Sequence, residues 1–122
     1  MRPMSMAEAR LIIAEMAANA PDRGAVLEDI RTLSAAPAPL LETVERALAD
    51  GYACALAMEA HRLRLQRKLE ESAAVLGETP GSERVVEVTD LAQGIARSDH
   101  ALAELRAALA ELAAKAQRLR AA

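Results

Sequence analysis

The chain has 122 residues and a net charge of −3 at pH 7, which fits one small domain and lacks the basic excess typical of nucleic-acid-binding proteins. Tyr52 is the only aromatic residue, and the 52% hydrophobic fraction comes mostly from alanine and leucine. Alanine is the best helix former but removes little apolar surface from water when it is buried. The composition therefore predicts an all-α fold of closely packed helices and makes direct nucleic-acid binding unexpected.

The apolar segments are too short for a membrane-spanning helix. No run approaches the roughly 18 residues that a span requires, and the apolar residues 11–14 are flanked by Glu8 and Glu15, unlike the core of a signal peptide. Cys54 has no second cysteine with which to form a disulfide within the chain, which agrees with a reducing compartment. We expect a cytoplasmic protein without membrane contact.

Residues 1–38 are predicted to form two short helices. Ser5 and Glu8 have the spacing of a capping box for a first helix over residues 6–19, and Pro21 then ends the helical pattern. Asp22 is a suitable N-cap for a second short helix. The expected buried face of the first helix carries Ala9, Ile12, Ile13 and Met16, and that of the second carries Val26, Leu27, Ile30 and Leu33.

Residues 39–122 are predicted to form a long helical hairpin with a turn near residues 77–82. Pro39 suits the first turn of a helix that continues to residue 76 without another proline, and Gly77 suits its C-terminal cap. One face of this helix forms a seam at a spacing of three and four residues: Leu41, Val44, Leu48, Gly51, Ala55, Met58, Arg62, Leu65, Leu69, Ser72 and Leu76. Leu56 and Leu63 lie beside this seam and are expected to widen it.

A second seam runs along the last helix. It comprises Val88, Leu91, Ile95, Ser98, Leu102, Leu105, Leu109, Leu112, Ala116 and Leu119. Val85 and Val86 would suit a strand, but the chain offers no second strand for pairing, so we expect this segment to be helical. Two such helices joined by a short turn form an antiparallel, coiled-coil-like hairpin, in which Asp99 lies at the level of Arg62 and can neutralise it.

The hairpin has more apolar surface than its two helices can bury against each other. The short N-terminal helices can cover one end, and a second copy or another protein must cover the rest. We expect a homodimer that forms a four-helix assembly.

The titratable residues do not form a recognisable catalytic or metal motif. His61 and His100 lack the Glu-x-x-His spacing of helical di-iron sites, and Cys54 lies among alanines and leucines like a small core residue. The chain contains no phosphate-binding loop and no nucleophile elbow. We therefore predict no catalytic residue, no metal and no cofactor, while an enzyme that assembles His61, Asp99 and His100 at a dimer interface remains the alternative.

Two groups of residues are candidates for partner binding. Arg64, Arg67 and Lys68 belong to the one basic cluster, which either docks an acidic partner or a phosphate or is a solvated helix face balanced by pairs such as Arg67 with Glu71. Tyr52 is either a core anchor or part of a contact surface. Leu56 and Leu63 are the apolar residues that would share such a surface with Tyr52.

The plan of the hairpin, over about residues 39 to 120, resembles that of anti-sigma factors built on antiparallel helical hairpins, which sequester a sigma factor and bind a cyclic dinucleotide. The resemblance implies a protein partner. It implies no ligand residue, because the spaced Glu, Ser, Arg, Gln and Asp of that family do not occur here in order. We expect a non-catalytic interaction protein, a small regulator or adaptor, and the alternative is a client-holding chaperone of the secretion type.

Overall fold

The computed structural model describes Ala7 and residues 22–78 and 81–122 of the protein, and the described part is helical without strands. It contains α1 (Arg23–Ala35), α2 (Leu41–Glu78) and α3 (Ser82–Ala121). The all-α prediction is confirmed. Apart from Ala7, the helix predicted over residues 6–19, with its capping box and apolar face, lies outside the described residues, as do residues 79–80 of the predicted turn. Helix α2 continues through Gly77 to Glu78, so the expectation that Gly77 caps this helix is wrong.

The boundaries of α1 follow from local hydrogen bonds. Asp22 has an extended backbone and its Oδ1 accepts from the Gly24 amide at 3.0 Å, as predicted for an N-cap. At the other end, the Ala36 amide donates to the Thr32 carbonyl at 3.0 Å. Lys115 of α3 donates from Nζ to the carbonyl oxygens of Ser34 and Ala36, so a distant side chain satisfies carbonyls that the helix end leaves free.

Helix α2 begins at Leu41, two residues after Pro39. Leu40 is its N-cap, since the Leu40 carbonyl accepts a hydrogen bond from the Val44 amide, the first of the helix. Pro39 therefore precedes the helix instead of lying in its first turn. The segment around Val85 is helical, as expected: α3 begins at Ser82 and leaves Val85 and Val86 exposed.

The two long helices pack against each other and run antiparallel. Three side-chain contacts follow in opposite order along them: Glu45 with Arg120 at 3.3 Å, Glu59 with Arg106, and Ser72 with Glu87 at 3.0 Å. The predicted seams form this contact. Its buried positions are Val44, Leu48, Gly51, Ala55, Met58 and Ser72 on α2 and Ile95, Ser98, Leu102, Leu105, Leu109, Leu112 and Ala116 on α3.

Helix α1 covers one side of this helix pair. Its Val26 and Ile30 join a core whose other members are the buried apolar residues within 44–58 of α2 and 102–116 of α3. A side chain at Gly51 would clash with Leu109 and come within 2.9 Å of Ile30 Cδ1, so the glycine allows the three helices to meet closely. We call the side of α2 and α3 away from α1 the outer face.

Candidate docking surface

The outer face carries three large apolar side chains that the fold leaves in solvent. Tyr52, Leu56 and Leu63 of α2 are 50%, 67% and 54% exposed. The expectation that Leu56 and Leu63 widen the buried seam is therefore wrong. They follow one another at helical spacing and border grooves between α2 and α3, but no described helix covers them.

The position of α1 explains this exposure. Asp29 and Leu33 of α1 form a groove with Ala47 and Asp50 of α2, so α1 lies against the side of α2 that carries these two residues. Tyr52 and Leu56 line a groove to which α1 contributes no residue. Of the two interpretations of Tyr52, the structure excludes the core anchor, because half of the side chain is exposed.

The groove beside Tyr52 and Leu56 has a volume of about 410 Å³ and an apolar floor. The floor is formed by Ala55, Leu109 and Ala110. The small side chains of Ala55 and Ala110 leave space that a bulky side chain from another helix can fill. The groove is thus suited to an apolar anchor.

Ion pairs between α2 and α3 border this apolar groove. Glu45 with Arg120 lies at one end and Glu59 with Arg106 at the other. Beyond the second pair, Leu63 shares a neighbouring groove with Arg62 and Asp99. An apolar centre with a charged rim is typical of protein–protein interfaces.

The Arg62–Asp99 pair forms as the antiparallel alignment predicted. Arg62 donates from Nε to one carboxylate oxygen and from Nη2 to the other at 3.5 Å. These hydrogen bonds, together with the charge of Asp99, raise the pKa of the Arg62 guanidinium. Both side chains remain partly exposed, so the pair is expected to contribute little to stability.

The structure extends the apolar stripe beyond the three residues named from the sequence. Ala49 and Ala60 are exposed and lie one helical turn from Tyr52 and Leu56. We call Ala49, Tyr52, Leu56, Ala60 and Leu63 the outer stripe. Its signal was present in the sequence as a second row at a spacing of three and four residues, parallel to the seam.

The basic residues do not form a single patch with this stripe. Arg64, Arg67 and Lys68 are all exposed, but Lys68 lines a groove on the α1 side, whereas Arg67 follows Leu63 by one turn and continues the stripe. None of the three forms an ion pair with another described residue. The Arg67–Glu71 pair considered above is therefore not made.

The groove on the α1 side is larger, at about 730 Å³, and chemically mixed. Arg23, Lys68 and Arg97 line it together with Glu83 and Asp90. Ser98 also lines it, and its buried hydroxyl has no hydrogen-bond partner in the described part of the chain. Because both signs of charge occur side by side, the lining does not single out a ligand class.

The remaining titratable candidates lie apart. His61 lines the α1-side groove and Asp99 lines a groove on the outer face, while His100 is exposed and pairs with Glu104 at 3.2 Å. The Cys54 thiol is buried and donates to the Met58 sulfur at 4.0 Å. Burial raises the pKa of this thiol, and the charge of Arg23 partly offsets the effect.

Within residues 22–78 and 81–122, no group of three or more His, Cys, Asp or Glu side chains is arranged to hold a metal ion. None of the helices described there is both long and apolar enough to cross a membrane. Comparisons with protein-family models, with characterised proteins and with solved structures found no match to this chain.

Proposed function

We propose that this chain is a non-catalytic helical interaction protein, a small cytoplasmic regulator or adaptor that binds protein through its outer stripe. The observation that carries the proposal is the exposure of Tyr52, Leu56 and Leu63 on a side of α2 that none of the described helices covers. Single exposed apolar residues are ordinary on protein surfaces. Three at helical spacing beside an apolar groove form a contiguous patch of the kind that marks interaction sites.

The proposed mode of binding is a helix in a groove. An amphipathic helix places anchors at a spacing of three, four and seven residues into such a surface, and the outer stripe has this same periodicity. The ion pairs Glu45–Arg120 and Glu59–Arg106 supply a polar rim. A homodimer is the proposed assembly, because a second copy offers a helix of suitable pattern.

A matched pair of variants tests this function. Leu56→Glu places a carboxylate in the middle of the outer stripe, while Ala57→Glu places the same group on the next exposed residue, off the stripe. We expect tagged wild-type protein and Ala57→Glu to retain a bound protein at fixed stoichiometry, and Leu56→Glu to lose it. Equal helicity by circular dichroism shows that the variants remain folded.

Two outcomes would contradict the proposal. Retention of the same protein by Leu56→Glu would show that the stripe is not the docking surface. Absence of any stoichiometric protein other than a second copy from wild-type complexes cross-linked in cells would show that the chain is not a regulator or adaptor of another protein.

A further inference from the structure

We infer that the occupant of the outer stripe is α2 of a second copy of this chain, antiparallel to the first and related to it by a two-fold axis beside Leu56. This inference rests on the proposed function and specifies the partner and its alignment. In a two-fold interface, residue i of one copy contacts residue j of the other, and j contacts i. The outer stripe must therefore be complementary to its own reversed order.

The stripe meets this condition in side-chain size. When it is reversed about Leu56, Tyr52 of one copy faces Ala60 of the other, and Ala49 faces Leu63. Each bulky residue on either side of the axis thus meets an alanine. All of these positions are exposed in the single chain. Alternation of large and small side chains across facing positions lets two helices interdigitate without voids.

The charges next to the stripe follow the same symmetry. Glu45 lies eleven residues before Leu56 and Arg67 lies eleven residues after it, so the reversed alignment brings opposite charges together at both ends of the interface. Arg67 forms no ion pair with the described residues of its own chain. The Glu45 carboxylate, which already accepts from Arg120, has lone pairs left for a second donor.

Other alignments lack this complementarity. A parallel two-fold pair places Glu45 against Glu45 and Arg67 against Arg67, and like charges in contact oppose association. An antiparallel pair whose two-fold axis lies between residues 57 and 58 places Tyr52 against Leu63 and separates Glu45 from Arg67. Of these three alignments, only the antiparallel one with its axis at Leu56 pairs large apolar residues with small ones and also pairs the charges.

The groove beside the stripe provides space for the central contact. Its floor of Ala55, Leu109 and Ala110 lies next to Leu56, so the two Leu56 side chains that meet near the axis can each enter the groove of the other copy. Contacts of α3 then add to those of α2, which gives the four-helix arrangement typical of stable helical dimers.

Cysteine cross-linking of the full chain in a Cys54→Ala background tests the alignment. We expect Leu56→Cys to form a disulfide-linked dimer on mild oxidation, because the two copies of position 56 lie within the roughly 4 to 7 Å Cα separation that a disulfide requires. In the antiparallel alignment, residue 63 of one copy and residue 63 of the other are about 21 Å apart along the helix axis, at 1.5 Å per residue. Leu63→Cys alone should therefore not cross-link, nor should Ala49→Cys alone.

A mixture of the Ala49→Cys and Leu63→Cys proteins should cross-link to each other, and Ala57→Cys serves as an exposed control off the stripe. Cross-linking of Leu63→Cys to itself as efficiently as Leu56→Cys would overturn the antiparallel alignment. If Leu56→Cys alone and the mixture of Ala49→Cys with Leu63→Cys all failed to cross-link, the dimer would be overturned.

Charge reversal provides a second test in solution. Light scattering of the wild type should give about twice the 13.0 kDa chain mass. Arg67→Glu should weaken dimerisation by about tenfold, because it opposes Glu45 of the other copy, and Glu45→Arg combined with Arg67→Glu should restore it. No loss in the single variant, or no recovery in the double variant, would contradict the Glu45–Arg67 contact.

The outcomes separate this inference from the proposed function. A monomeric wild type whose binding to a different protein is lost in Leu56→Glu would refute the second copy as occupant and leave the docking surface valid. A dimer with the expected cross-links and no further bound protein would support the inference and refute the adaptor role.

Discussion

At Gly51 the side of α2 comes so close to α1 and α3 that an added side chain would have to displace its neighbours. An added Cβ would meet the Leu109 side chain and would lie 2.9 Å from Ile30 Cδ1. Both neighbours belong to the core, and Ile30 is fully buried, so a methyl group at position 51 requires these packed side chains to shift. The absence of a side chain at this position therefore determines how closely the three helices pack.

Gly51→Ala is expected to destabilise the protein although alanine favours helix. The propensity gain is about 1 kcal/mol, while forcing a methyl group into a packed core costs about 1 to 3 kcal/mol. Gly94→Ala is the matched control, since its Cβ would lie 3.8 Å from Leu65 Cδ1, an ordinary contact, and it should stabilise by about 0.5 to 1 kcal/mol. Urea unfolding measures both, and stabilisation by Gly51→Ala would contradict the close contact.

Cys54 should make stability depend on pH in the alkaline range. Because burial raises the pKa of its thiol in the folded state, the unfolded chain loses this proton first, near pH 8.5. Below that pH both states are protonated and the group contributes no pH dependence. Above it, stability falls until pH passes the folded pKa. The free energy of unfolding should therefore decline less between pH 8 and 10 in Cys54→Ala, and identical declines would exclude this effect.

At the scale of the elements, α1 is held at its two ends by different means. Asp22 caps the N-terminus from the adjacent sequence, whereas Lys115 reaches the C-terminus from α3 and donates to the Ser34 carbonyl at 2.8 Å. Between these ends, Val26 and Ile30 are the buried contacts of α1. A hydrogen bond from a positively charged side chain to free carbonyls at a helix C-terminus is also favoured by the helix dipole.

Lys115→Met should lower the free energy of unfolding by about 1.5 to 3 kcal/mol, the usual contribution of hydrogen bonds to a charged group. Methionine keeps most of the aliphatic stem, so the loss reports on the ammonium group. Lys68→Met, at an exposed position, should change stability by less than about 0.5 kcal/mol. Hydrogen exchange at residues 32–36 should rise in Lys115→Met alone, and equal effects of the two variants would contradict a specific role for Lys115.

On the scale of the whole molecule, the hydrophobic core is confined to one half of the long helices. The members of the core cluster all lie within residues 26–30, 44–58 and 102–116. Toward the other end of α2 and α3 the buried positions are Ser72, Ile95 and Ser98, which bury less apolar surface. The two halves of the same helices therefore differ in what stabilises them.

Native-state hydrogen exchange should reveal this difference. Amides of residues 66–76 and 86–96 are expected to exchange through local opening at a lower free energy than amides of residues 46–56 and 104–114. A uniform exchange free energy along α2 and α3 would mean that the helix pair opens only as a unit and would contradict the prediction.

The helices α1, α2 and α3 and the seam between the two long ones could be predicted from the sequence because their causes are local. The spacing of Leu102, Leu105, Leu109 and Leu112 places all four on one helix face regardless of the partner, and Asp22 caps α1 through a residue only two positions away. The Arg62–Asp99 pair followed as well, since two antiparallel helices joined by a short turn have nearly fixed pairing.

Only the tertiary structure decided which apolar side of α2 stays exposed. Both Cys54 and Leu56 lie beside the seam, at similar distance from it along the sequence, yet Cys54 is buried and Leu56 is two-thirds exposed. Helical periodicity shows which residues share a face but not what packs on that face. Here α1 covers the side of Cys54, and its contacts, like the bond from Lys115 to the Ser34 carbonyl 81 residues away, depend on packing between distant segments that no local pattern encodes.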